Sequence, residues 1–393
     1  KMLLTFKHLV DSDLVEHTKQ TINNNEILTY YIDKKIGWEY LDLNTSISDG
    51  IVTYPDHIQI YNIGNSDSKI NFIQTTFNRL DKLIDLDFEE MLDNDGSMLD
   101  IYHVNYSSTF GVDVVGQAIQ QSSLQGSWWD IFWKDSHLKG NINIDNDKNT
   151  IVHEIGHALG LRHPFNDPLN KSWDSSDTIM SYNRSPEGWN KWFSEKDLNA
   201  LISIWGREND NGIITYQKSQ YDYKYKRVAS NSFSIKTEIG LEDITNINHL
   251  NFTDSTINVQ NDIIGVFNQL ENIDDISGKI YRLYNAAFGR FPDAEGLNYW
   301  IEKNTSGIDS YRETAASFIL SDEFITLYNM NSSDSNFIKS LYENILDRLP
   351  DNEGFKYWLN QIEKGYENRS DLLMGFSESE ENKTIFSEET NIF

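Results

Sequence analysis

Apolar positions along the 393-residue chain pass through successive periodicities, and each period predicts a different kind of element. Leu9, Leu14, Val15, Thr18 and Ile22 recur at helical spacing among polar residues, and Asn23-Asn24-Asn25 closes them, which predicts a surface helix. Ile27-Leu28-Thr29-Tyr30-Tyr31-Ile32-Asp33 is β-branched and aromatic and predicts a strand. From residue 66 towards residue 91, Ile70, Phe72, Ile73, Phe77, Leu80, Leu83 and Ile84 return every three or four positions, the signature of a long amphipathic helix. Residues 88–90, 100–104, 114–119 and 140–145 follow as candidate strands. Strands interleaved with a helix predict a mixed α+β unit.

Beyond the middle of the chain the period changes twice. Between residues 213 and 259 apolar residues alternate in short runs, Tyr221-Asp222-Tyr223-Lys224-Tyr225, Ser232-Phe233-Ser234-Ile235-Lys236 and the stretch 244–252, which predicts short strands. The last third is helical in pattern and repeats itself. Tyr284, Arg290, Pro292, Asp293, Gly296, Tyr299, Trp300, Gly307, Phe318 and Ser321 recur as Tyr342, Arg348, Pro350, Asp351, Gly354, Tyr357, Trp358, Gly365, Phe376 and Ser379, at one constant spacing. A constant spacing over ten positions means a duplicated unit, with Pro-Asp-x-x-Gly forming a helix-to-helix turn and N-cap. Trp300 and Trp358 are predicted core residues.

The densest chemistry lies between these regions. His153-Glu154-Ile155-Gly156-His157-Ala158-Leu159-Gly160-Leu161-Arg162-His163 reads H-E-x-x-H-x-x-G-x-x-H. On a helix of about 3.6 residues per turn, His153 and His157 leave the same face and can converge on one metal ion. Glu154 points to a neighbouring direction, where its carboxylate can serve as a general base. Gly160 tolerates positive φ, so the chain can turn there and swing His163 back to the ion. Three neutral imidazoles with one open position make a catalytic rather than a structural zinc site. The helix is predicted to open near Asn149 or Thr150, and His163-Pro164 blocks its continuation. Further on, Ser194 with Asp197 predicts a capping box and a helix ending at Gly206.

Composition narrows the partners. Thirty-three basic against 61 acidic side chains leave a net charge of −28, which repels phosphate backbones and excludes nucleic acid as an expected partner. Hydrophobic residues at 38% and aromatic ones at 13% suffice for packed cores. The absence of cysteine excludes disulfides, thiolate zinc sites and thiol catalysis together. No run of about 18 apolar residues predicts a membrane span, and the first residues lack a secretory h-region.

The histidine signature resembles the extended zinc motif of the metzincin metallopeptidases and, through His153–Leu161 with His163-Pro164, their serralysin branch. Asp177-Thr178-Ile179-Met180-Ser181-Tyr182-Asn183 is similar to the Met-turn of that family. The resemblance implies zinc held by His153, His157 and His163, with Glu154 as catalytic base. It implies Met180 as an apolar floor, and Tyr182 as a further zinc ligand that, once displaced, steadies the oxyanion.

Four segments are expected: a leader or propeptide over 1–26, a metzincin catalytic domain of α+β class over 27–206, a short all-β segment over 207–275, and an all-α duplicated domain over 276–393. Serralysins place a calcium-binding β-roll in the third segment. Its glycine repeats are absent here, and only 241–254 resembles the unit that closes such arrays, so Ca2+ there rests on that resemblance alone. The duplicated domain resembles a helical domain of unknown function common in type I-secreted bacterial proteins, and the tail Ser387-Glu388-Glu389-Thr390-Asn391-Ile392-Phe393 is similar to their uncleaved export signals. The expectation is a secreted zinc endopeptidase acting on proteins or peptides, with oligomeric state open. The rival expectation is a secreted surface or matrix binding protein that keeps zinc without hydrolysis.

Overall fold

The computed structural model describes residues 3–393 apart from 24, 43–46, 49–50, 53–56, 112, 124–125, 139–140, 329–332 and 347. Lys1 and Met2 of the expected leader, Asn24 of its closing run and Gly140 of the 140–145 strand lie outside the described residues. The chain forms two compact units, Lys1–Asp210 and Asn211–Phe393.

The first unit is α+β with a mixed sheet. A 3-10 turn at Phe6–His8 leads into α1 (Ser12–Ile22), then β1 (Ile27–Ile32) and β2 (Gly37–Asp42). A small hairpin, β3 (Ile47–Ser48) and β4 (Ile51–Val52), precedes β5 (His57–Asn62) and α2 (Asp67–Leu80). There follow β6 (Asp87–Glu90), β7 (Leu99–Ser107), β8 (Gly116–Ser123), β9 (Gly126–Trp133) and the short pair β10 (His137–Leu138) and β11 (Asn141–Ile142). α3 (Ile144–Ala158) and α4 (Glu195–Trp205) complete it. β6, β1, β7 and β9 run parallel in that order, and β8 closes the sheet antiparallel to β9 as an edge strand. β5 and β2 extend it antiparallel from the far half of β7. α1 packs on β9, and α3 on β8 and β9.

Several predicted boundaries move; the strand expected at 114–119 is β8 at Gly116–Ser123 and that at 100–104 is β7 at Leu99–Ser107. α2 stops at Leu80 instead of running towards residue 91, because Leu83 and Ile84 turn back on Leu80 and Asp81 Oδ1 accepts Phe88 N, starting β6. The buried face of α2 is Ile73, Thr76, Phe77 and Leu80, with Phe77 stacked on Tyr30 at 4.1 Å between centroids. Burying such a ring contributes about 1.5–3 kcal/mol. α3 opens at Ile144, not near Asn149, because Asn143 caps Asn146 N and acids occupy the first turn. The expected strand 140–145 shrinks correspondingly to β11.

Asp100 and Asp130 face each other across β7 and β9 and both are buried. Burial pushes Asp100 up to about 8 and Asp130 up to about 7, each from the usual 3.8. A carboxyl raised in the folded state stabilises the fold fully below its unfolded pKa and loses that contribution as pH climbs through the folded value. The contribution of these two carboxyls to the stability of the first unit is therefore expected to fall between pH 4 and 8. Asp130→Asn, which keeps an oxygen for Gln121 Nε2, should flatten that fall by a few kcal/mol. Urea titrations of both proteins at the two pH limits check it, and parallel pH slopes would count against the assignment.

In the second unit β12 (Ile213–Thr215), β16 (His249–Asn251) and β17 (Thr256–Asn258) form one sheet. β13 (Lys224–Ala229), β14 (Ser232–Thr237) and β15 (Gly240–Asp243) form another. Tyr221 and Asp222, expected in a strand, sit in a 3-10 turn, since Ser219 Oγ accepts Tyr221 N and is itself tied to Asp254. The expected strand 244–252 survives only as β16, because Asp243 Oδ1 captures both Thr245 N and its hydroxyl and ends the ladder. At Val259–Phe267 the segment expected to be all-β turns helical, ending in α5 (Gly265–Phe267).

The helices are α6 (Ile276–Phe288), α7 (Ala294–Thr305), α8 (Tyr311–Ile319), α9 (Asp322–Tyr328), α10 (Asp334–Leu346), α11 (Asn352–Glu363), α12 (Arg369–Ser377) and α13 (Glu380–Thr390). Phe233, Ile235 and Val259 share one core with Ile280, Tyr281, Leu297 and Phe386, so strands and helices are packed together. The repeat is visible in side chains. Asp293 Oδ1 caps Gly296 N at 2.6 Å and Asp351 Oδ1 caps Gly354 N at 2.8 Å. Arg290 forks onto Glu323 and Arg348 onto Glu381. Glycine is required at 296 and 354 because a Cβ would strike the cap and the hydroxyl of Tyr284 or Tyr342. Trp300 and Trp358 are partly buried against the helical core, each beside its repeat-matched Phe318 or Phe376.

Candidate metal centre

The local sequence builds the site from α3 outward. Asp147, in the first turn, is buried and accepts Ser136 N at 2.8 Å, Ser136 Oγ at 2.7 Å and Lys69 Nζ at 3.0 Å, which anchors the helix start. The helix then carries His153, Glu154 and His157 into the interior and stops at Ala158. Gly160 takes φ +99°, as its place in the motif predicts, and Leu161 N returns to Gly156 O at 2.8 Å. That reversal delivers His163 to the other two imidazoles.

The ligand atoms of His153, His157 and His163 all lie within 4.8 Å of one another. His153 Nδ1 donates to Ile179 O at 2.9 Å and His157 Nδ1 to Leu161 O at 2.8 Å. A carbonyl only accepts, so both rings hold their proton on Nδ1 and turn an Nε2 lone pair inward. His153 Nε2 and His163 Nε2 stand 3.1 Å apart. Burial and the neighbouring imidazoles hold His153 well below its ordinary value, and burial first, then His157, holds His163 at about 4. Neutral rings able to turn their Nε2 lone pairs to one point are the form that binds a divalent transition metal. The donor set therefore fits zinc. Among the described residues no other group of three His, Cys, Asp or Glu side chains is close enough to hold an ion.

Glu154 is buried outside that cluster. Burial pushes it up to about 8, against which a backbone hydrogen bond from Ala118 works. Ala118 belongs to the edge strand β8, and Gly116, where that strand begins, makes its approach to α3 possible. A Cβ at 116 would lie 2.5 Å from Glu154 Oε1 and from Thr150 Cγ2. A cavity of about 490 Å³ opens here, bordered by Val114, Gly116, Glu154, His157, Tyr182 and Trp189. Gly116 and Ala118 carry no signal in the sequence beyond a short apolar run; nothing local says which strand will lie on Glu154.

Tyr182 is brought to the same place, its ring 5.2 Å from His153 and 4.9 Å from His163 between centroids. Burial and then the Glu154 carboxylate push its phenol up to about 12. Met180 is fully buried beneath α3, and Gly156 leaves room for it, since a Cβ there would meet Met180 Sδ at 3.0 Å. Asp197 performs a task the sequence does not advertise. Besides capping α4, its buried carboxylate accepts Thr178 Oγ1 and Ile179 N, which fixes the carbonyl that orients His153.

A domain family of unknown function, DUF4214, matches residues 315–386, all within the second unit. No curated protein matches the chain.

Proposed function

We propose that the first unit is a zinc-dependent endopeptidase of the serralysin-like metzincin type, cleaving proteins or peptides outside the cell. One observation carries this reading: three clustered imidazoles, of which His153 and His157 line a cavity together with a carboxylate that takes no part in their cluster. When bound, zinc would supply Lewis acidity, bringing the pKa of water in the cavity towards neutrality and favouring the ionised form of Glu154.

The chain's own groups would do the rest. Glu154 would take a proton from the attacking water and hand it to the leaving amine, while Ala118 N–H holds the carboxylate in line. Tyr182 keeps its phenolic proton at neutral pH, so it would act as a donor to the developing oxyanion. β8 pairs only with β9 among the described strands, and an extended peptide would add as a further strand on its other side, beside Glu154. The acidic surface, at −28, suits a protein that must remain soluble after export.

The test is metal analysis by mass spectrometry on the purified full chain, paired with casein digestion before and after a chelator. One zinc per chain and chelator-sensitive cleavage are expected. Zinc without cleavage would instead make this a binding protein with a peptidase-like site, and no zinc would end both readings.

A further inference from the structure

The segment before β1, expected as a leader or inhibitor, sits elsewhere than an inhibitor would. None of residues 3–23 borders the cavity beside Glu154. They grip the turn between the second and third imidazoles instead. Val10 and Leu161 form an antiparallel bridge, with Asp11 N on Gly160 O at 3.0 Å and Arg162 N on Leu9 O at 2.8 Å. Arg162 Nε reaches back to His8 O at 3.3 Å, and the His8 ring lies 4.2 Å from Phe165, just beyond His163. Val15 fills the space a side chain at 160 would need, 2.5 Å from such a Cβ. Thr18, fully buried, donates its hydroxyl to Ala158 O at 2.7 Å and accepts Trp129 Nε1 at 3.0 Å.

All of these contacts except the one to Trp129 fall on 158–165. That stretch includes Leu161, whose carbonyl orients His157, and it ends around His163, the one metal-site imidazole not carried by α3. A turn of this kind has few helical hydrogen bonds of its own, so its position depends on what holds it from outside. We infer that residues 3–23 are a built-in brace for the third ligand, so that loosening them weakens the metal centre and does not unmask it. An inhibitory segment would behave in the opposite sense, since its release would raise turnover.

The inference rests on the proposed zinc site, and the experiment separates the two. The full chain, Thr18→Val and Thr18→Ser are loaded with zinc, and transfer of the metal to a chromophoric chelator is followed together with casein turnover. Valine keeps the shape but leaves Ala158 O and the Trp129 N–H without their buried partner, whereas serine keeps both bonds. Thr18→Val is expected to release zinc about tenfold faster, as for other residues that orient metal ligands from outside. Its turnover should fall in step, and Thr18→Ser should stay close to the parent. Should Thr18→Val fail to fold, Arg162→Gln, which removes the bond to His8 O together with the guanidinium charge, takes its place with the same expected acceleration. A folded variant that holds zinc as long as the parent, or one that cleaves faster, overturns the brace and leaves the zinc site standing. A parent chain that takes up no zinc defeats the proposed function, and this inference with it.

Discussion

Glu154→Gln is expected to bind zinc as the parent does and to lose roughly 10²–10⁴-fold in kcat, the usual worth of a positioned general base. Glutamine matches the size of the side chain and still offers an oxygen to the Ala118 N–H. It cannot accept a proton from water, which is the only property the substitution removes. The fold should not suffer. Burial already disfavours the charged form of Glu154, whose value stands at about 8, so a neutral amide costs that pocket little. Three readings decide the matter together: zinc per chain, thermal midpoint, and kcat on casein or a quenched peptide. Unchanged zinc with parental turnover would remove Glu154 from the reaction and leave the cavity without a base.

His163→Ala is expected to act on the other half of the site. It deletes one of three converging nitrogens, and the loss in zinc affinity should exceed the roughly 10–100-fold typical of groups that merely orient ligands. In the metal-free parent His153 Nε2 and His163 Nε2 stand at hydrogen-bond distance, 3.1 Å, so the metal-free variant should lose no more than that one contact, about 0.5–1.5 kcal/mol. Added zinc stabilises a folded protein by about 4 kcal/mol at a thousandfold excess over its dissociation constant. The parent should therefore melt several degrees higher with zinc, and His163→Ala should show almost no rise. A variant that keeps the full zinc-dependent rise would mean that His163 is not a ligand, whatever its position in the motif.

The brace has a consequence for engineering. Gly160 is doubly constrained, by its φ of +99° and by Val15, so Gly160→Ala strains the backbone and pushes α1 away from the turn in one stroke. The motif position reads as a conformational requirement alone. Half of the requirement is in fact steric and comes from a helix well over a hundred residues earlier.

Much of the site was legible because its logic is local. A four-residue spacing puts His153 and His157 on one helix face in any context, positive φ at Gly160 is a property of glycine, and Ser194 with Asp197 forms the capping box its spacing announces. Boundaries were less legible, again for physical reasons. α3 starts at Ile144 because Asn143 caps it and Asp147 is held by Ser136 and Lys69, and Lys69 is a partner no window around the helix contains. α2 ends at Leu80 because β6 pairs with β1, which outweighs the continuing apolar period of Leu83 and Ile84.

The sequence by itself determined the histidine-bearing helix, the glycine turn and the duplicated helical unit, since each follows from spacing within a few turns of chain or from a repeat that can be read off directly. Only the tertiary structure decided that β8 is the strand beside Glu154, that Asp197 binds the amide of the residue whose carbonyl meets His153, and that the first helix packs against the turn to His163. Those three facts depend on close approach between distant residues, such as Gly116 against Glu154 or Thr18 against Ala158. Contacts of that kind are set by how whole elements pack, and packing leaves no periodic trace in the order of the residues.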